Sequence, residues 1–406
     1  MNTHLQTPLE YSQSFEQQLT QILPTAASRC AGFAHRVTEA GIDVSELAHA
    51  DVLDRIPILS KDDLIALQQA QPPFASMVAD DAPLRRIFQS PGPLYEPEMD
   101  VADPWRWAPA LRAAGFSGDD VVLNCFGYHL SPAGAMFEEA CRALGARVVP
   151  GGIGSMDLQV RACADLGVTG FIGLPSYLKA LLVKADEAGL ELVPERAFVT
   201  AEPLPRSLRD WLIERVPVVR QGYGTAETGN LGYESARMDG LHVPADALVQ
   251  ICDLTTGEAI HDDREGQIVV TLLRDDYALV RFGTGDLSAW AEQEPYEPEP
   301  TPRMKGWLGR VGDAVKVRGM FLHPRQVRSV MDGAPEVTAY RFVIERDAHL
   351  DTLSCEVVAP MHDDTDALAE TIHERVRAGL RFDVAVHIVD DLPAEAGIID
   401  DRRDWR

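Results

Sequence analysis

The sequence has 406 residues, 46% of them apolar and 25% charged, which is the composition of a globular protein long enough for more than one domain. Its formal net charge of −26 argues against a nucleic-acid or anionic-membrane partner, because the phosphates of either would be repelled. No apolar run reaches the roughly 18 residues of a membrane span, and the six cysteines lack the short spacings of a zinc site. The first residues have no basic and apolar signal-peptide regions, so a cytoplasmic protein is expected.

The first half of the chain predicts helices followed by an α/β sheet. Residues 9–50 have apolar positions at helical spacing, and Ser60 is a plausible N-cap for a helix beginning at Lys61. Between 121 and 219, short apolar runs alternate with amphipathic segments, and the last strand is expected at 216–219. This alternation is typical of βαβ units around a buried parallel sheet. The pattern therefore predicts a large N-terminal domain of α/β layers.

A glycine-rich stretch, residues 221–229, follows that strand. Glycines at the end of a strand let a flat ligand approach the backbone closely. Within the stretch, Thr225 could hydrogen-bond a phosphate, and Glu227 could help hold a metal ion or orient a neighbour. Taken alone, the pattern is also that of an ordinary turn, so both interpretations stay open at this point.

The second half predicts a small β-subdomain and then a small α+β C-terminal domain. Alternating apolar residues favour strands at 248–251 and 266–273, and the acidic, proline-rich residues 291–302 favour an exposed loop. Residues 309–319 contain glycines that accommodate backbone rotation, so the C-terminal domain is expected to be mobile. The predicted domains are 1–309 and 310–406. In the second, helices are predicted at 324–331 and 365–379, and strands at 339–345, 352–358 and 383–389.

Four motifs occur in order, at 200–203, 221–229, 281–286 and 309–319. Together they resemble the core motifs of the acyl- and aryl-adenylate-forming superfamily, and most of all those of its phenylacetate–CoA ligase branch. The resemblance covers nearly the whole chain. It implies AMP or ATP with Mg²⁺ as cofactor, and coenzyme A as a candidate thiol. It further implies a small-molecule carboxylate, often aromatic, as the substrate, and a homodimer by analogy.

The resemblance also implies roles for individual residues. Thr225 and Glu227 would be catalytic, and Tyr128 and His129 would line the acid pocket. His129 is equally well interpreted as a loop histidine bonded to a backbone carbonyl. Asp286 would accept both ribose hydroxyls, and Arg310 would contact ribose or phosphate. The other AMP-binding residues would be Ala201, Glu202, Pro203, Gly222, Tyr223 and Gly224. No protein metal ligands are expected.

One damaged motif is the phosphate loop. Relatives have Ser-Ser-Gly-Thr-Thr-Gly-Lys-Pro where this chain has residues 86–97, and only Ser90 and Gly92 remain of it. Three prolines remove amide donors, the lysine position is not basic, and Glu96 is expected to add negative charge. Poor binding of the ATP triphosphate tail is therefore predicted.

The second damaged motif is the C-terminal lysine that bridges the carboxylate and the α-phosphate in relatives. Its position falls on Ile398, and no lysine follows Lys316. Losing such a charge costs roughly a hundredfold or more in rate. Arg402 or Arg403 could substitute only approximately, because a guanidinium differs in shape from an ammonium group.

Three functions remain open from the sequence. The first is an ATP-dependent acid–CoA ligase, in which a carboxylate attacks the α-phosphate to give an acyl-AMP and a thiol then displaces AMP. The second is a divergent relative that does not adenylate with ATP and instead binds or converts a preformed acyl-adenylate or thioester. The third is a non-catalytic pathway subunit, which predicts no nucleotide binding.

Overall fold

A computed structural model describes residues 3–90, 93–192, 194–254, 256–293, 296–297, 299–311, 315–318, 320–322, 324–347, 350–359, 364–393 and 397–403. The chain forms two compact units, Met1–Val311 and Gly312–Arg406. No helix in the described ranges is long and apolar enough to cross a membrane. The boundary predicted between residues 309 and 310, and the mobility of the second domain, stay predictions.

The N-terminal segment is mostly helical, as the sequence predicts. It comprises β1 (Thr3–His4), α1 (Pro8–Ser14), α2 (Glu16–Arg29), α3 (Ala31–Glu39), 3-10 helices at Val44–Ala48 and Ala50–Arg55, and α4 (Lys61–Ala70). The Thr7 hydroxyl and the Glu10 carboxylate form a capping box at the start of α1. The Ser60 hydroxyl accepts a hydrogen bond from the Asp63 amide at 3.0 Å, which confirms the predicted N-cap of α4.

The region that aligns with the phosphate loop forms part of a β-hairpin, made of β2 (Leu84–Ser90) and β3 (Leu94–Met99). Opposite charges face each other across it, since Arg86 lies opposite Glu98 and donates to its Oε1 at 2.8 Å. Gly92, one of the two loop residues retained from the family pattern, lies outside the described residues. Glu96 is paired with Phe88 in the middle of the hairpin, and its side chain is buried.

Alternating helices and strands then build the predicted α/β layers. In order they are α5 (Ala108–Ala113), β4 (Val121–Asn124), α6 (Ala133–Leu144), β5 (Arg147–Pro150), α7 (Met156–Leu166), β6 (Gly170–Gly173), α8 (Pro175–Ala188), β7 (Arg196–Val199), α9 (Arg206–Ile213), β8 (Val218–Thr225), β9 (Gly229–Tyr233) and β10 (Leu241–His242). Strands β4 to β8 pair in parallel, and their apolar side chains are buried between helices. The predicted α/β class is confirmed.

The strand predicted at 216–219 continues further, because β8 extends through Thr225. Its first half pairs in parallel with β7, and its second half pairs antiparallel with β9. The expected turn in the glycine-rich stretch therefore begins later than predicted, at residue 226. The antiparallel pairing with β9 holds the glycines of β8 in an extended backbone, where the sequence alone indicated a turn.

The predicted small β-subdomain follows. The strands in this part of the chain are β11 (Ala247–Cys252), β12 (Ala259–Ile260), β13 (Gly266–Leu272), β14 (Phe282–Ser288), β15 (Tyr296–Glu297), β16 (Arg303–Met304) and β17 (Gly309–Arg310). Two of them, β15 and β16, belong to other sheets. One sheet has the order β12-β11-β13-β14-β17, while β16 extends the large sheet beyond β10 and β15 pairs with β1. Apolar residues of α2 and of β11 share one core.

Arg281 fastens this subdomain to the N-terminal segment. Its guanidinium is 1% exposed and donates to the carbonyls of Leu53 at 3.2 Å and Asp54 at 2.6 Å. It also donates to the carbonyl of Gly257. A buried cation needs such acceptors, because its desolvation is otherwise uncompensated.

The second unit has its own core and an α+β arrangement. Its elements are β18 (Val315–Val317), β19 (Met320–Leu322), α10 (Pro324–Met331), β20 (Ala339–Asp347), β21 (Leu350–Val358), α11 (Thr365–Leu380), β22 (Ala385–Ile388) and β23 (Ile399–Asp401). The sheet order is β22-β21-β20-β23. Arg402 pairs with Asp400 at 2.8 Å, and Arg403 pairs with Asp351 at 2.8 Å. Both candidate substitutes for the missing lysine are thus engaged with carboxylates of this unit.

Candidate functional site

Asp286 is the centre of a polar cluster in the first unit. It lies on β14 directly opposite Arg310 of β17. The Tyr223 hydroxyl donates to Asp286 Oδ2 at 2.7 Å, and the Trp307 indole N–H donates to Oδ1 at 2.9 Å. Arg310 Nε lies 2.9 Å from Oδ1 in an ion pair. The structure therefore brings together three residues that the sequence singles out, and it adds Trp307, which no local pattern indicated.

Tyr223 reaches Asp286 from the middle of β8, between two glycines that cannot be replaced without a clash. A Cβ at Gly222 would lie 2.6 Å from the Phe198 ring, and one at Gly224 would lie 2.2 Å from the Gly229 carbonyl oxygen. Burial, and secondarily the charge of Asp286, raise the pKa of the Tyr223 phenol. The phenol therefore keeps its proton and acts as a hydrogen-bond donor to the carboxylate.

The turn after β7 lies beside β8. Val199 pairs with Gln221 in the parallel ladder, so Ala201 and Tyr223 each lie two residues beyond the same pair. The Thr200 hydroxyl donates to the Gly222 carbonyl at 2.7 Å and fastens this turn to β8. Ala201 has φ +69°, a left-handed conformation in which a small side chain is best tolerated.

The other two residues of this turn complete it. Glu202 accepts a hydrogen bond from the Ser176 hydroxyl at 2.6 Å, which fixes the carboxylate against α8. Pro203 follows it in an irregular segment that leads to α9, and it is only partly exposed. The 201–203 turn and the glycine-flanked part of β8 thus meet at one edge of the parallel sheet.

Thr225 ends β8, and Glu227 lies in the turn between β8 and β9. The Thr225 hydroxyl lies 2.9 Å from the Thr228 hydroxyl and accepts from the Thr228 amide at 3.3 Å. Glu227 is buried, and its Oε1 lies 2.6 Å from Nζ of Lys61, the first residue of α4. Burial opposes ionisation of Glu227, but Lys61 outweighs it and lowers the pKa of the carboxyl below its ordinary value. Sequence reasoning predicted the helix start at Lys61 but not this ion pair.

Comparisons with known proteins agree with these motifs. The family described as AMP-binding enzyme matches residues 104–271. The phenylacetate-coenzyme A ligase of Thermus thermophilus is 28% identical over 364 residues, which cover 84% of this chain and 80% of that protein. The phenylacetate-coenzyme A ligase of Aromatoleum evansii is 24% identical over 381 residues, which cover 87% of this chain and 84% of that protein. These matches support a phenylacetate–CoA ligase-like, adenylate-forming member, as the four motifs predict.

Solved structures share the fold of this ligase-like chain. A 2-hydroxyisobutyryl-CoA ligase in complex with 2-HIB-AMP and CoA, in the thioesterification state, gives a TM-score of 0.85 at 21% identity. The match covers 99% of this chain and 92% of that one. The amide bond synthetase McbA from Marinactinospora thermotolerans gives a TM-score of 0.60 at 17% identity and covers 92% of this chain and 90% of that one. At these identities the likeness concerns the fold.

Glu96 distinguishes this chain from the phosphate-loop pattern that the resemblance implies. Its side chain is 2% exposed, and neither carboxyl oxygen has a hydrogen-bond partner among the described residues. Burial and then the charge of Glu227 raise the pKa of Glu96 to about 8, while Ser90 and Lys61 oppose the shift. This shift favours the protonated carboxyl, which opposes the negative charge that the sequence predicts at this position.

The two predicted acid-pocket residues lie at the end of β4. The Tyr128 hydroxyl accepts from the Asn124 amide at 2.9 Å, and its ring packs so closely on α6 that a Cβ at Gly134 would lie 2.9 Å away. The His129 side chain is exposed. Among the described residues, neither side chain hydrogen-bonds to the cluster around Asp286.

Proposed function

We propose that this chain is an acid–CoA ligase that activates an aromatic carboxylate through an acyl-AMP. The carboxylate oxygen attacks the α-phosphorus of ATP and pyrophosphate leaves; the thiol of coenzyme A then attacks the acyl carbon and AMP leaves. The observation that carries the proposal is the contact of Tyr223 with Asp286, 2.7 Å apart, beside the turn at Ala201. The relatives named phenylacetate-coenzyme A ligase support the choice of an aromatic acid.

In the proposed reaction, residues of the first unit bind and orient the nucleotide. The adenine would lie against the turn formed by Ala201, Glu202 and Pro203, and along the backbone of β8 at Gly222 and Gly224. Asp286, inside β14, would accept hydrogen bonds from the ribose. Arg310 would contact ribose or phosphate, since its guanidinium lies beside Asp286.

The remaining predicted residues would act on the phosphate and the acid. The Thr225 hydroxyl, at the end of β8, would hydrogen-bond the α-phosphate, and the buried Glu227 would hold the adjoining turn through its ion pair with Lys61. Tyr128 and His129 would line the acid pocket beyond β4. This assignment uses binding and orientation, which is where such enzymes obtain much of their rate.

The residues around Glu227 do not fit a resident Mg²⁺. An ammonium group already neutralises this carboxylate, with Lys61 Nζ 2.6 Å away. In the described part of the chain, no group of three or more His, Cys, Asp or Glu side chains is arranged to hold a metal. We therefore assign no step to a metal held by side chains of this chain.

Purified protein tests the proposal by ATP–pyrophosphate exchange with a panel of aromatic and aliphatic acids, followed by thioester formation with coenzyme A. We expect acid-dependent exchange, strongest with aryl acids and slow because the C-terminal lysine position is Ile398. Saturable AMP binding without exchange for any acid would contradict the ligase and leave the divergent adenylate-binding relative. A cytoplasmic location and a homodimer belong to the same proposal.

A further inference from the structure

Glu234 lies just beyond the end of β9 and carries a buried carboxylate that accepts four hydrogen bonds from the protein. Its side chain is 2% exposed. Arg209 of α9 donates to both oxygens, at 2.6 Å to Oε1 and at 3.0 Å to Oε2. Gln221 donates to the same two oxygens, from its side-chain amide at 2.9 Å and from its backbone amide at 3.0 Å. A carboxylate offers about four acceptor positions, so these four donors account for all of them.

This carboxylate lies at the point where β8 changes its pairing partner. Gln221 is the last residue of β8 that pairs with β7, and Gly222 is the first that pairs with β9. At this junction the Glu234 amide donates to the Gln221 carbonyl at 2.9 Å, and the Glu234 carboxylate accepts from the Gln221 amide in return. The two hydrogen bonds fix the position of β9 against β8 where the antiparallel ladder begins.

Arg209 connects this junction to the turn at 201–203. It lies in the first turn of α9, which follows the 201–203 turn in the chain, and its guanidinium is held by Glu234. Before the turn, the Thr200 hydroxyl donates to the Gly222 carbonyl at 2.7 Å. The segment is therefore fastened to neighbouring residues of β8 on both sides of the turn. Because both ends are held, the distance between the turn and β8 is fixed.

We infer that the Arg209–Glu234 pair sets the width of the slot between the 201–203 turn and β8, and that both are positioning residues for the adenine base. The inference rests on the proposed function, because that function places the base in this slot. The pair acts through α9 and through the backbone of β8. Replacing Arg209 leaves a buried carboxylate without its cation, so the junction loosens and the turn is free to move away from β8.

Calorimetry with AMP on the full chain tests the inference. Arg209→Met and Glu234→Gln should each weaken AMP binding about fivefold or more, because the base is then less well placed. The double variant should lose no more than the larger single loss, since the two residues act as one unit. In pyrophosphate exchange, the KM for ATP should rise by a similar factor while the KM for the acid stays within about twofold, a split that general destabilisation would not produce.

Arg274→Met is the matched control, because Arg274 makes a two-point contact with Asp276, at 2.8 and 2.7 Å, in the same unit. It should keep the wild-type affinity for AMP. Arg209→Lys retains a cation opposite Glu234, so it should fall between wild type and Arg209→Met and keeps the test decisive if the Met variant does not fold.

Two results would overturn the inference and leave the proposed function intact. One is an AMP affinity within about twofold of wild type in every folded variant of the pair, and the other is additive losses in the double variant. If the wild-type chain does not bind AMP, the proposed function fails, and the inference fails with it.

Discussion

Glu96 should make the stability of this chain fall as the pH rises, and Glu96→Gln should remove that dependence. The pKa of its carboxyl lies at about 8 in the folded protein against 4.5 as its ordinary value, chiefly because of burial. Between these two pH values the folded state binds more protons than the unfolded state. Stability is therefore fully present below pH 4.5 and is lost progressively up to about pH 8.

The size of the effect follows from proton linkage. Each pH unit inside this window lowers the free energy of unfolding by about 1.4 kcal/mol for one group. From pH 6.0 to pH 7.5 the wild-type chain should therefore lose roughly 2 kcal/mol that Glu96→Gln keeps. The uncharged amide also changes the absolute stability, because it is buried in the same place, but that contribution does not vary with pH.

Urea unfolding at several pH values, in buffer of constant ionic strength, measures the difference between the two chains. Tryptophan fluorescence suits the assay, since Trp105, Trp107, Trp211, Trp290 and Trp307 lie in the first unit with Glu96. Glu16→Gln, at an exposed position of α2, controls for the loss of one charge. If wild type and Glu96→Gln give parallel curves of stability against pH, Glu96 is not a buried neutral acid and the reasoning is refuted.

Three further predictions concern Lys61, Asp286 and the position of the missing C-terminal lysine. Lys61→Met should lower the free energy of unfolding by about 3 kcal/mol at pH 7, because it leaves the buried Glu227 unpaired; adding Glu227→Gln should recover most of this loss in urea unfolding, and no recovery would argue against the pair. Asp286→Asn should weaken AMP binding at least tenfold in calorimetry, whereas an unchanged affinity would remove Asp286 from the nucleotide site. Ile398→Lys should raise the pyrophosphate exchange rate, by up to roughly a hundredfold, and an unchanged rate would mean that this position does not take the place of the family lysine.

The sequence predicts the parallel part of the sheet well, because buried parallel strands are continuous apolar runs separated by amphipathic helices. It predicts β8 poorly, because Gly222 and Gly224 have the local signature of a turn. Their extended conformation depends on pairing with β9, which is information that no local window contains. The short strand β23 is missed for a related reason, since its pairing with β20 joins residues far apart in the chain.

In the candidate site, too, the sequence predicts the local motifs but not the contacts between distant segments. The motifs around Tyr223, Asp286 and Arg310 are local, so the sequence could single them out before the structure placed them in contact. The ion pair of Lys61 with Glu227 joins distant segments, and so it could not be read from spacing. The proton on Glu96 depends on burial and on a neighbouring charge, and neither is visible in composition.

The contacts of Arg281 limit how this protein can be shortened. Its guanidinium takes acceptors from Leu53 and Asp54, which belong to the N-terminal segment. A chain trimmed to the 104–271 match plus the rest of the β-subdomain would remove these two acceptors and uncover the apolar core that α2 shares with β11. The first 55 or so residues are thus a structural part of the first unit, and fusions or tags are better attached before them than in their place.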